Sequence, residues 1–75
     1  MKYEHLPTIS LDLTCKNIKK MIVETGKTRA EMARVLNVNR SMIYKWTSTQ
    51  LPSIDNLVAL AYVLECSVDD ILVTY

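Results

Sequence analysis

The stretch Lys27 to Thr49, KTRAEMARVLNVNRSMIYKWTST, constrains the fold more than any other part of the chain. Thr28 and Glu31 stand at the Ser/Thr-x-x-Glu spacing of a capping box. In that arrangement the hydroxyl accepts from the backbone N–H of residue 31, and the carboxylate reaches back to the N–H of residue 28. The spacing predicts a helix from Arg29 to about Leu36. Asn37 follows, a residue type that tolerates the left-handed conformation of a helix stop. Val38 is apolar and plugs the turn into the core. Asn39 is a good N-cap for a second helix, about Arg40 to Ser48. Within it Ile43 and Trp46, three apart, share one face, while Arg40, Ser41, Tyr44, Lys45 and Ser48 share another. One face is apolar. The other is basic and rich in hydrogen-bond donors.

Similar reasoning covers the flanks. Met1 to Leu13 reads as an arm, because Pro7 stops a helix from running through it. Ile9, Leu11 and Leu13 alternate with Ser10 and Asp12, a period-two pattern that predicts extended chain over Thr8 to Leu13. The β-prone tail, Leu72 to Tyr75, is its expected mate. Thr14 is the predicted N-cap of a helix over 15–25, closed by Gly26, the only glycine, at a position that requires positive φ. Ile18, Met21 and Ile22 form its inner stripe. Lys16, Lys19 and Lys20 lie outside it, as a solvated face or as contacts to phosphate.

Leu51-Pro52-Ser53 breaks the chain, and Ser53 caps a fourth helix over 54–64. Ile54, Leu57, Leu60, Ala61 and Leu64 are its core candidates. No charge occurs from Leu57 to Leu64. A helix apolar all round calls for burial on more than one side. Val58, Ala59 and Tyr62, outside the core stripe, are therefore candidates for a dimer interface. Ser67 and Asp70 form a second cap pair and predict a fifth helix over 68–73.

This ordered combination resembles the lambda-repressor-like, Cro/C1-type (Xre) helix-turn-helix domains. The residues that carry the likeness are Thr28, Ala33, the turn Leu36-Asn37-Val38-Asn39, Ile43 and Trp46. It continues through Pro52-Ser53, the helix IDNLVALAYVL, and Ser67-Val68-Asp69-Asp70-Ile71-Leu72. It spans about Thr14 to Val73. Three departures stand out. Arg29 occupies the place where the family often has Gln. Thr47-Ser48-Thr49 replaces a Glu and a Gly after the Trp, in a loop one residue shorter. Glu65 stands where a Gly usually ends the fourth helix. The implied architecture is all-α, a five-helix lambda-repressor-like DNA-binding domain over 14–75 with an extended N-terminal arm over 1–13.

Chemistry elsewhere in the chain is sparse. His5 is the only histidine and has no metal-ligand spacing to any second His, Cys, Asp or Glu. One glycine leaves no room for a phosphate-cradling loop. Thr28 and Ser41 have no base nearby in a recognisable order. Asp69-Asp70 is explained as the first turn of a helix, where carboxylates suit the dipole. The expectation is a non-enzyme with no metal and no cofactor. No apolar run reaches the ~20 residues of a membrane span, and the N-terminus lacks a secretory core, so a cytoplasmic location and no membrane partner are expected. Cys15 and Cys66 can pair in an oxidising compartment or serve as small buried hydrophobes in a reducing one.

The formal net charge of +1 conceals an asymmetry. Residues 27–50 carry a net of +4 and residues 51–75 a net of −4. A polyanion is attracted to one side and repelled from the other.

The resemblance then implies a small, sequence-specific transcriptional regulator, repressor-like, that binds double-stranded DNA as a homodimer. Helix 40–48 would enter the major groove. Thr28, Arg29, Asn39, Arg40, Ser41, Tyr44, Lys45 and Ser48 are its expected contacts. Arg40 and Ser41 face base edges, Tyr44 a thymine methyl or a sugar, and Arg29, Lys45 and Ser48 phosphates. Thr28 and Asn39 offer backbone N–H groups at helix N-termini. The alternative is a protein-interaction module on the same fold, such as an antitoxin or phage-type partner protein, with the apolar helix 54–64 as its working surface.

Overall fold

The computed structural model describes residues 6–75. His5 and the first part of the arm lie outside them. Five helices follow in order: α1 Leu11–Thr25, α2 Arg29–Leu36, α3 Arg40–Trp46, α4 Ile54–Val63 and α5 Val68–Ile71. Among the described residues all other regular pairing is one antiparallel bridge, Ile9 to Thr74. Helix α3 packs on α1 and α2, α4 packs on α2 and α5, and α1 reaches α5. Each helix contributes to one core. Ile18 and Ile22 meet Met32 and Ala33, Ile43 and Trp46, Leu57, Leu60 and Ala61, and Ile71. None of the helices is long and apolar enough to cross a membrane, among the described residues.

Helix α1 begins four residues before the expected start, since Ser10 and not Thr14 is the cap. The Ser10 hydroxyl accepts from Leu13 N–H at 3.2 Å, and Asp12 lies in the first turn, where its charge suits the helix dipole. Residues 11–13 are therefore helical, not extended. Three alternating apolar residues are too few to separate a strand from a helix start, and Leu11 and Leu13 are both about half exposed. Thr14, fully buried, ties the two ends of the chain together. Its hydroxyl accepts from Val73 N–H at 3.0 Å and donates to Val73 C=O at 3.3 Å.

The expected partnership of arm and tail is present but short. Thr8 and Tyr75 exchange backbone bonds at 3.1 and 3.0 Å, and Ser10 N–H donates to Val73 C=O at 2.8 Å. This pairing draws Leu72 into extended backbone (φ −74°, ψ 132°), so α5 ends at Ile71 and not at 73. The Asn17 amide, from α1, donates to the Asp70 and Ile71 carbonyls at 2.9 and 3.0 Å and so covers the end of that helix.

Side chains also cap the starts of α2, α4 and α5. Ser67 and Asp70 form the predicted capping box, with both bonds at 3.1 Å. The backbone N–H of Ser67 holds the Asp70 carboxyl below its usual range, with help from the Ser67 hydroxyl. Gly26 takes φ 77° after α1. Helix α4 departs from expectation at its start: Ile54 is 80% exposed and belongs to the surface, not the core. Cys15 is buried and Cys66 half-buried, and both are free thiols. Burial pushes both thiols up from their ordinary value.

Glu65 has φ 57°. The chain turns there because Cys66 N–H reaches back to Ala61 C=O at 3.0 Å, the six-to-one bond of a helix stop. A side chain in this conformation costs ~1 kcal/mol or more, and glycine removes that cost. Glu65→Gly is therefore expected to raise stability by about 0.5–1 kcal/mol. Urea titration of the two proteins checks it; an unchanged or lower midpoint would show that the left-handed turn carries no strain.

Candidate nucleic-acid interface

Helix α2 is built as the sequence predicts, and α3 starts at the predicted residue but ends at Trp46, two residues before the expected Ser48. Thr28 Oγ1 accepts from Glu31 N–H at 3.1 Å, and Glu31 Oε1 accepts from Thr28 N–H at 2.8 Å. That backbone bond, with the hydroxyl, holds the Glu31 carboxyl below its ordinary value. It also occupies the Thr28 N–H, so this group is not open to an anion as the sequence suggested. Asn37 adopts φ 57°, ψ 46°, and Val38 N–H returns to Ala33 C=O at 2.9 Å to close the turn. Asn39 is the N-cap of α3 by backbone conformation, but its side chain makes no capping bond and is exposed.

Ile43 and Trp46 are fully buried and fix α3 against the body of the protein. With those two side chains inward, Arg40, Ser41, Tyr44 and Lys45 are all exposed. Ser48 is exposed too but lies beyond the helix. Helix α3 stops at Trp46 because hydroxyls take over its last carbonyls. Thr47 Oγ1 donates to Ile43 C=O and Tyr44 C=O at 3.1 and 3.0 Å, and Ser48 Oγ donates to Tyr44 C=O at 2.6 Å. Thr49 and Gln50 N–H both reach Lys45 C=O, at 2.8 and 2.9 Å. The polar run thus does the work of the missing glycine.

Two features were not legible in the sequence. The Arg29 guanidinium, on α2, lies 5.2 Å from the centre of the Tyr44 ring on α3. Arg29 also borders a small cleft of about 200 Å³ together with Lys19 of α1 and Lys27 of the α1–α2 connection. Periodicity groups residues within one helix, and these partners come from three segments. The other proposed surface lies on α4. On α4, Val58 and Tyr62 are 57% and 85% exposed and Ala59 is half-buried.

A basic, donor-rich face on a short helix, held out by two buried residues behind a tight turn, is a nucleic-acid-reading arrangement. The Cro/C1-type helix-turn-helix DNA-binding domain matches residues 17–75. The chain belongs to this family. It is a DNA-binding transcriptional regulator, and its five-helix fold is the lambda-repressor-like one. Among solved structures it is similar to SinR, described as the master regulator for biofilm formation and crystallised in complex with DNA. That similarity has a TM-score of 0.66 and 29% identity over 75% of this chain and 92% of the SinR chain in that structure. No curated protein sequence matches the chain. As a Cro/C1-type domain it departs from the usual pattern at Arg29, Thr47 to Thr49 and Glu65, and each departure has a local solution. Arg29 stacks on Tyr44, hydroxyls end α3, and Glu65 takes the left-handed turn itself.

Proposed function

We propose that α3 enters the major groove and reads base edges with Arg40 and Ser41, as a cytoplasmic, non-enzymatic, repressor-like homodimer. The observation that carries this reading is the exposed polar face of α3 set by the burial of Ile43 and Trp46. The likeness to SinR, whose structure contains DNA, supports DNA as the partner. Arg40 sits in the first turn of α3, the part of a recognition helix that reaches bases. Its guanidinium can donate two bonds to guanine O6 and N7, worth ~1–3 kcal/mol against a wrong base. Ser41 is short and both donates and accepts, so it discriminates less. Lys45 and Ser48 lie farther along and meet phosphates. Asn39, with its amide unused by the helix, contributes a polar contact at the groove edge. Thr28 contributes by fixing the start of α2. Arg29, Lys19 and Lys27 face the backbone from the cleft they share.

Enrichment of bound sequences from random DNA tests this. A palindromic motif is the expected result. Arg40→Ala is then expected to lose about tenfold or more in affinity and to relax preference at one position per half-site. Lys45→Ala weakens binding to all sequences about equally and lowers the slope of log K against log salt by about one. Variants that both bind every sequence like the parent would show that this face does not meet DNA.

A further inference from the structure

We infer that Arg29 and Tyr44 form one specificity-determining unit that reads the C5-methyl group of a pyrimidine in the major groove. The inference rests on the proposed docking of α3 and goes beyond it by coupling a residue of α2 to base choice. Tyr44 is 55% exposed in the middle of a polar face, one turn after Arg40 and Ser41. Of the polar groups on that face, none offers an apolar surface. The thymine methyl is the one apolar group that a base pair presents in the major groove. An aromatic ring at this position meets it, and cytosine offers nothing in its place.

Arg29 determines whether the ring is held there. It occupies the first position of α2, at the positive end of the helix dipole, where a cation disfavours folding. Glu31, the carboxylate nearest to it in sequence, is engaged with Thr28. Among the described residues Arg29 has no ion pair. Its contact is the Tyr44 ring at 5.2 Å. A guanidinium placed over a ring face can still donate its N–H groups to a phosphate oxygen while its charge steadies the ring. A backbone contact therefore carries base information, because the charge that grips the phosphate also orients the reading ring. Lysine keeps the charge but has no plane to stack.

The same logic extends to modified DNA. Cytosine methylated at C5 presents the methyl where thymine does, so methylation at this position substitutes for thymine as far as Tyr44 is concerned.

The test uses the enriched site with single thymines replaced by deoxyuridine, which removes the methyl and nothing else. The parent is expected to lose about fourfold at one thymine per half-site, the worth of burying a methyl-sized group. With cytosine at that place, C5-methylation should recover a similar factor. Tyr44→Ala should bind thymine and uracil sites equally. Arg29→Lys should keep the parental salt slope but bring the thymine-to-uracil ratio towards one. Far-UV dichroism establishes that both variants are folded. A parent indifferent to every single deoxyuridine replacement would overturn the inference. So would Arg29→Lys retaining the full ratio, since the ring would then act without its partner. Either result, with sequence-specific binding by the parent intact, leaves the docking of α3 standing; loss of specific binding by the parent itself would remove both.

Discussion

Trp46→Ala is expected to remove about 3–5 kcal/mol of stability, a large share of what a domain of this size has. The indole is fully buried and is the largest such side chain in the core. Truncating a buried Trp to Ala costs ~3–5 kcal/mol, from lost burial and from the cavity that remains. A domain of this size has a total stability of roughly 4–11 kcal/mol at the usual contribution per residue. The loss also falls where the structure can least redistribute it. Helix α3 has seven residues, far fewer than an isolated helix needs, so tertiary packing of Ile43 and Trp46 holds it in shape. Trp46→Phe should be much milder, within about 2 kcal/mol of the parent. It retains an aromatic core residue and removes an indole N–H that has no acceptor among the described residues; a buried donor left unpaired costs ~1–3 kcal/mol. Urea unfolding followed by far-UV dichroism measures both variants without depending on Trp fluorescence. A Trp46→Ala protein with the parental midpoint would mean that the indole contributes nothing to the core.

The helices that sequence placed well are those whose ends are written locally. Thr28 with Glu31, Asn37, Gly26, Ser53, and Ser67 with Asp70 each fix a boundary with groups five or fewer residues away. The structure has all of these stops and starts where the pattern put them. Errors arise where distant parts of the chain decide. Thr14 is chemically a good cap, but Val73, 59 residues away, uses both functions of its hydroxyl. Ile54 has the spacing of a core residue, yet at the first position of α4 it projects past the core. Ser48 fits the outward stripe of α3, but Thr47 and Ser48 can bond to the carbonyls behind them and end the helix first. For the interface, the outward stripe of α3 could be read from spacing alone. The stack of Arg29 on Tyr44 could not, since it depends on how α2 and α3 cross.

Replacing Val58 and Tyr62 together by glutamate is expected to give a folded monomer that has lost specific DNA binding. Ile54, Val58 and Tyr62 recur every four residues along α4 and are all exposed, at 80%, 57% and 85%. They form one stripe, with half-buried Ala59 beside it. The stripe alone is small against the ~800 Å² per partner of a stable interface. Its flanks enlarge it. On one side Val35 of α2 meets Tyr62 across an open groove that Lys27 and Glu65 also line. On the other, Ile9, Val68 and Leu72 line an apolar cleft of about 450 Å³ that Ile54 borders. A two-fold contact places such a patch on its own copy. Because α4 packs on α2 and α5 while α3 packs on α1 and α2, a joint at α4 leaves α3 of both copies uncovered. One copy offers only a few side chains to DNA, and much of their attraction is to phosphate regardless of sequence. Two copies joined rigidly read half-sites about one helical turn, ~34 Å, apart. Linking two weak readers in this way raises affinity by ~100-fold or more over either alone. Because both positions are solvent-exposed, glutamate there leaves the core intact but adds like charges facing each other across the axis. Sedimentation at micromolar concentration should find the parent as a dimer and the double variant as a monomer. Its far-UV spectrum should match the parent's, and its affinity for the enriched site should fall about 100-fold, close to that for random sequence. A parent that sediments as a monomer even with its site in excess would exclude a preformed dimer. A double variant with parental mass and parental affinity would place the joint on another face.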